Sequence, residues 1–287
     1  MKADMGKTVS MAMHYSAKPK RMLPFFILML PYLAAVLLML NQVSTIIPAL
    51  VSGNVSAIFG LLGYVAVFAV IFVVVSLIDI YLKTLVVENS KQYWSGNDRL
   101  LSREKAAVKG AYFSALAASI IVALVIMAVS FIPFIGGLLS IIISLYFFTF
   151  FPAVVMKKSV NGLSDSTSVF SKSKLETFVF WIVLSILTAV FSILSFIPAL
   201  IAILASLGSA ISTIITGGGM LAALSSLQSN ILILAIGGII TAFLFSFAVL
   251  FDASSRTFYY LQHTKKEPEA HHEPVKAAVK VKRKKKR

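Results

Sequence analysis

Lys282, Arg283, Lys284, Lys285, Lys286 and Arg287 are consecutive basic residues and form the densest charge in the sequence. The chemistry open to such a run is binding. Solvated cations meet anionic lipid headgroups, each adding about 1 kcal/mol near the surface, or meet RNA through its phosphates. Membrane lipids are the expected partner, with a protein partner or a ribosome as alternatives. Two further charge patterns are pairs, Asp79 with Lys83 and Asp252 with Arg256. Both have i, i+4 spacing, so each pair can close on one helical face and sit at the membrane interface. The last pattern is uncharged. Ala202, Ser206 and Ala210, with Ala205, Ser209 and Thr213, place small residues on one helical face. Such a face lets membrane helices pack closely, and beside a helix break it can instead line a solute path.

Catalytic patterns are missing. The chain has no cysteine, so thiolate chemistry, disulfides and Cys-ligated metals are excluded. Its histidines, His14, His263, His271 and His272, fall outside the apolar runs and form no His-Glu-x-x-His motif. Glu269, His271, His272 and Glu273 are metal-ligating types, but a polar, Lys-rich tail does not organise them. Gly217-Gly218-Gly219 lacks the Lys-Ser/Thr that a phosphate-cradling loop requires. The expectation is a protein that is not an enzyme and uses no cofactor or metal.

The elements that must carry these residues are membrane helices. Of 287 residues, 59% are hydrophobic, and the mean hydropathy is +0.92. No Asp, Glu, Lys, Arg or His occurs from Thr177 to Phe251, from Met22 to Ile78 or from Gly110 to Met156. A soluble surface would not exclude charge over such lengths. The net charge of +15 collects in the tails and two loops, as expected for cytoplasmic segments. Six spans are predicted at about 22–40, 58–82, 110–132, 138–156, 175–197 and 231–251. Residues 1–21 form a cytoplasmic tail, 198–230 an extracytoplasmic helical excursion, and 262–287 a disordered basic cytoplasmic tail. A seventh span in 198–215 would put Lys282–Arg287 outside, against the Lys/Arg bias.

Local signals fit this plan. Asn41-Gln42 and Pro48 close the first span, and Ser52-Gly53-Asn54 turns the chain. The loop Lys83–Lys109 holds six basic and three acidic residues, with Tyr93-Trp94 as an interfacial anchor and Ser95-Gly96-Asn97-Asp98 as a turn. Leu163–Phe170 reads as a short amphipathic helix. Ser173-Lys174-Leu175-Glu176 matches a capping box opening the fifth span. Ser130-Phe131-Ile132-Pro133 recurs as Ser195-Phe196-Ile197-Pro198, and Pro48 takes the corresponding place earlier. Three antiparallel hairpins account for the repeat.

Phe151-Pro152-Ala153-Val154-Val155, followed by Asn161-Gly162, Ser171-Lys172 and the apolar run from Phe178, resembles uncharacterised bacterial and archaeal six-helix membrane proteins. These are related to the membrane domain that precedes glycerophosphodiester phosphodiesterases. The resemblance implies the fold and no hydrolase activity. Lys157-Lys158 departs from the acidic residue that family tends to place there.

The sequence therefore predicts an all-α, polytopic membrane helix bundle with six transmembrane helices in three hairpins and both termini cytoplasmic. Its expected role is a non-enzymatic accessory or scaffold in the cell membrane, contacting lipid or protein partners. The alternatives are a permease for a neutral or lipid-like solute and an insertase-like protein with a ribosome-binding tail. Oligomeric state is not specified.

Overall fold

The computed structural model describes residues 4–96, 105–217 and 229–264. Lys282–Arg287, the Glu269–Glu273 group, Asn97-Asp98 and Gly218-Gly219 lie outside the described residues. Every described element is helical: α1 (Met5–Ser16), α2 (Pro19–Val51), α3 (Val55–Trp94), α4 (Lys105–Ser130), α5 (Gly136–Tyr146), α6 (Phe150–Lys157), α7 (Gly162–Lys172), α8 (Lys174–Ile215) and α9 (Ile231–Thr264). Among the described residues six helical stretches are long and apolar enough to cross a membrane: Pro19–Leu40, Ala57–Trp94, Val108–Ser130, Gly136–Lys157, Lys174–Ile215 and Ile231–Thr264. The chain is a multi-pass membrane protein.

The first twenty-one residues are more than a tail. Asp4 caps α1, its carboxylate accepting from the Lys7 amide at 2.9 Å. Thr8, Ala12 and Tyr15 share one helical face and are buried, because α1 lies along α9. The Ser16 and Ser254 hydroxyls meet at 3.2 Å across that contact. Pro19 then opens α2, where its missing amide hydrogen costs nothing.

The helices also outrun the predicted spans. α2 continues through Asn41-Gln42 and Pro48 to Val51, where Ser52 bonds back to the Ala49 carbonyl and Gly53 takes a positive φ of 74°. α3 passes its charged pair without breaking, since Lys83 and Asp79 satisfy each other on one face. The following turns, Thr84 to Ser90, are buried. The predicted fourth span, 138–156, is two helices, α5 and α6, separated by a turn at Phe147–Thr149. Gly136 opens α5 because a Cβ there would lie 2.7 Å from the Val129 carbonyl oxygen. Gly162 opens α7 for the same reason, with the α6 backbone at Val154 only 2.6 Å from a would-be Cβ.

α8 departs most from expectation. The fifth helix was expected to stop at Ile197, before the 198–230 excursion, yet it runs 42 residues to Ile215 with Pro198 inside it. The proline displaces the helical hydrogen bonding around it, and Thr241 of α9 compensates by accepting from the Ala199 amide at 3.1 Å. Ser173 does not cap α8 through its side chain. Its hydroxyl donates to the Val169 carbonyl at 2.8 Å and faces His263 Nε2 of α9 at 3.2 Å.

The core sits at one end of the bundle, the end that holds α1, the starts of α2, α4 and α8, and the last turns of α3 and α9. There Tyr15, Phe25, Trp94, Phe148, Phe180, Phe251, Phe258 and Tyr259 form one buried cluster. Tyr259 stacks on Phe180 at 4.5 Å, with its hydroxyl 2.8 Å from that of Thr177. Phe258 packs edge-on against Tyr15 and stacks on Trp94. Away from this end the helices present Ile, Leu, Val and Phe outward, as a bilayer requires.

Candidate functional site

Arg21 anchors the corner between α1 and α2. Its guanidinium lies 3.8 Å from the Tyr15 ring centroid and 5.1 Å from that of Tyr93, and Nη1 donates to the Tyr15 carbonyl at 3.1 Å. Lys7 sits over the Trp94 ring at 5.8 Å and Lys18 over Tyr93 at 5.6 Å. Three cations from the first twenty-one residues thus rest on the aromatic end of α3. Cation–π contact of this kind gains strength where the pair is desolvated, and Arg21 is buried. Tyr93 and Trp94, expected as an interfacial anchor, are packed against cations of the first twenty-one residues, and Trp94 is buried.

A groove of about 490 Å³ runs from this corner along the outside of α2 and α3. Pro24, Ile27 and Pro31 line it from α2, and Val70, Val74 and Ile78 from α3. Pro24 and Pro31 are seven residues apart and share a face. Their short rings leave that face low opposite the branched side chains of α3. At Pro24 and Leu82 the groove meets a second pocket of about 20 Å³, lined by Tyr15, Arg21 and Asn89 among others. Asn89 is 7% exposed, and its Oδ1 has no hydrogen-bond partner. A buried acceptor in that state is costly, so its place in the wall of the small pocket that adjoins the groove is informative.

The small-residue face of α8 is sealed at three positions only, since Ala205 is exposed and Ser209 and Thr213 are half-exposed. Ala202, Ser206 and Ala210 are buried, and Ala202 faces Gly237 of α9 so closely that a Cβ on the glycine would lie 2.6 Å away. Ser206 donates to the Ala202 carbonyl of its own helix at 2.8 Å. Ser209 accepts from the Asn230 amide at 2.7 Å, and Thr213 donates to the Ser209 carbonyl. These hydroxyls are turned to their own helix or to α9.

Asp79 and Lys83 are 2.6 Å apart, and Arg256 Nε is 3.0 Å from Asp252. Arg256 also lies over the Phe148 ring at 5.1 Å, which ties α9 to the α5–α6 turn. Glu176 stands 3.7 Å from His263 Nε2. Among the described residues no three His, Asp or Glu side chains gather closely enough to hold a metal ion. The structure does not bring together Asp79, Glu88, Asp165 and Asp252 as such a group.

Sequence reading missed Arg21 and Asn89 as site residues. Arg21 falls in the 1–21 segment expected to be a tail, and Asn89 lies in the expected 83–109 loop. The available signal was the pairing of Pro24 with Pro31 on an apolar helix, just past a basic corner. No family model matches the chain, and no curated protein or solved structure matches it either.

Proposed function

We propose that this protein is a non-enzymatic accessory or scaffold of the cell membrane, built as three helical hairpins with both termini in the cytoplasm. Its aromatic, basic end is the contact surface for anionic headgroups or a protein partner, and Lys282–Arg287 contribute further cations for the same kind of partner. The observation that carries this reading is the corner where Lys7, Lys18 and Arg21 rest on Trp94, Tyr93 and Tyr15. Aromatic rings and basic side chains in one layer match the interfacial zone of a bilayer. The basic run adds electrostatic attraction to an anionic leaflet.

The permease alternative draws less support. Within the Pro198–Gly219 region that would line its path, Ala202, Ser206 and Ala210 are buried, and Ala202 packs closely on Gly237 of α9. The insertase and ribosome alternatives rest on the tail alone.

The experiment is gentle purification of the full chain beside a variant ending at Val275, with all co-purifying lipid, protein and RNA identified across a salt series. Anionic lipid or a protein partner lost from the variant, and lost from the full chain at high salt, is the expected result. Identical cargo from both at low salt overturns the tail's role. Ribosomal RNA as the salt-sensitive cargo replaces the lipid reading with the ribosomal one.

A further inference from the structure

We propose that the groove between α2 and α3 is a binding site for one anionic phospholipid whose headgroup carries a hydroxyl. Its acyl chain lies along Val70–Leu82, and its head sits at Arg21 and Asn89. The site is separate from the basic tail and uses none of its residues.

Size comes first. The volume of about 490 Å³ falls in the range of small-molecule sites. From Val70 to Leu82 the α3 face rises about 18 Å, at about 1.5 Å per residue. That is slightly more than half of the roughly 30 Å hydrocarbon thickness. A chain from a single leaflet fits this length, whereas a partner transmembrane helix would need the whole thickness.

Polarity comes second, because it is graded along the groove. Val70, Val74 and Ile78 are aliphatic and half-exposed to the bilayer, while the last turn before the corner brings in Asn89 and Arg21. An amphiphile has the same order of groups. A hydrocarbon without a polar head would leave the Asn89 acceptor unpaired, and a sterol, although its hydroxyl can donate, would bring no anion to Arg21.

The headgroup follows from the donors that the pocket demands. Asn89 Oδ1 accepts, so the ligand must donate. An ammonium would meet the Arg21 guanidinium in the same small pocket, and like charges repel there. A hydroxyl has no such conflict, and about 20 Å³ admits a group the size of one water. The phosphate then stays at the mouth, within the field of Arg21.

The test uses the full chain exchanged into mixed micelles containing phosphatidylglycerol, phosphatidylmethanol and phosphatidylcholine in equal amounts, with retained lipid counted by native mass spectrometry. Phosphatidylmethanol has the same charge and no headgroup hydroxyl. The expected result is one retained lipid per protein, with phosphatidylglycerol favoured about fivefold over phosphatidylmethanol for one hydrogen bond and both favoured over phosphatidylcholine. Val74→Trp fills the groove from a half-exposed position and should cut retention of both anionic lipids at least tenfold. Asn89→Leu should erase the preference for the hydroxyl and leave the preference for charge. Because Val74 faces the bilayer, its variant keeps the test decisive if Asn89→Leu lowers the yield. Equal retention of all three lipids, undiminished retention by Val74→Trp, or loss on truncation at Val275 would each overturn the site. An unchanged hydroxyl preference in Asn89→Leu would overturn the headgroup assignment.

Discussion

The α8–α9 seam and the α2–α3 groove are both contacts between apolar antiparallel helices, yet one closes and the other stays open. Along the seam the facing positions are Ala202, Ser206 and Ala210 against Gly237 and Thr241. Along the groove they are prolines and leucine or isoleucine against branched side chains. Lipid tails are as apolar as these helices, so burial alone gives no drive to associate. Backbone proximity and the dispersion contacts it permits decide the outcome. Small residues let α8 and α9 approach until the Pro198 carbonyl oxygen would lie 2.9 Å from a Cβ on Gly237. Branched residues hold α3 away from α2 and leave lipid-sized space.

The largest effect should come from breaking the seam. Gly237→Leu pushes a branched side chain into Ala202 and the α8 backbone, neither of which can retreat as a flexible side chain would. Overpacking of this kind costs about 3 kcal/mol. The expected reading is a clearly lowered unfolding midpoint in mild detergent. An unchanged midpoint would mean that the two helices slide apart freely and that the seam is no tighter than the groove.

A smaller loss is expected from Thr241→Val, which keeps the volume and removes the acceptor that serves the Ala199 amide beside Pro198. A buried donor left without a partner costs about 2 kcal/mol. The midpoint should fall by less than in Gly237→Leu. Changing Pro198→Ala in the same chain should restore most of it, because the helix then satisfies its own amide. Failure of that rescue would detach Thr241 from the proline.

The seam was half legible in the sequence, and the groove was not. The i, i+4 recurrence of Ala202, Ser206 and Ala210 is a local pattern, so the packing face could be read from one helix alone. Its partner on α9 could not, because Gly237 and Thr241 stand beside Gly238 and Ala242, a second small pair at the same i, i+4 spacing. The same limit explains Pro198. In sequence a proline after a far-side serine reads as a helix end, and only Thr241, 43 positions later, keeps the helix running. α1 was hidden for a different reason. Its charges suggested solvent, whereas Lys7 and Lys18 spend theirs on aromatic faces of α3. The presence of apolar spans was legible, since exclusion of charge over such lengths has one physical cause, but their ends were not, because the helices continue through Pro48 and Pro198. The Arg21–Asn89 pocket joins residues from α1, α2 and α3, and no single-helix pattern announces it.

The smallest effect gives the cleanest contrast, because one substitution type takes opposite signs at the seam and on an open face of α3. Gly63 lies on the exposed face of α3, with nothing within 4 Å of a Cβ built there. In mid-helix a glycine carries excess backbone freedom in the unfolded chain, and alanine removes about 0.5 kcal/mol of that penalty without meeting a neighbour. Gly63→Ala should therefore raise the midpoint slightly. Gly237→Ala gains the same backbone term but places its methyl 2.6 Å from the Ala202 Cβ, so the midpoint should fall. Measured side by side in one detergent, the pair cancels the backbone contribution and isolates the packing one. If both variants shift in the same direction, close approach does not distinguish the seam from the rest of the bundle.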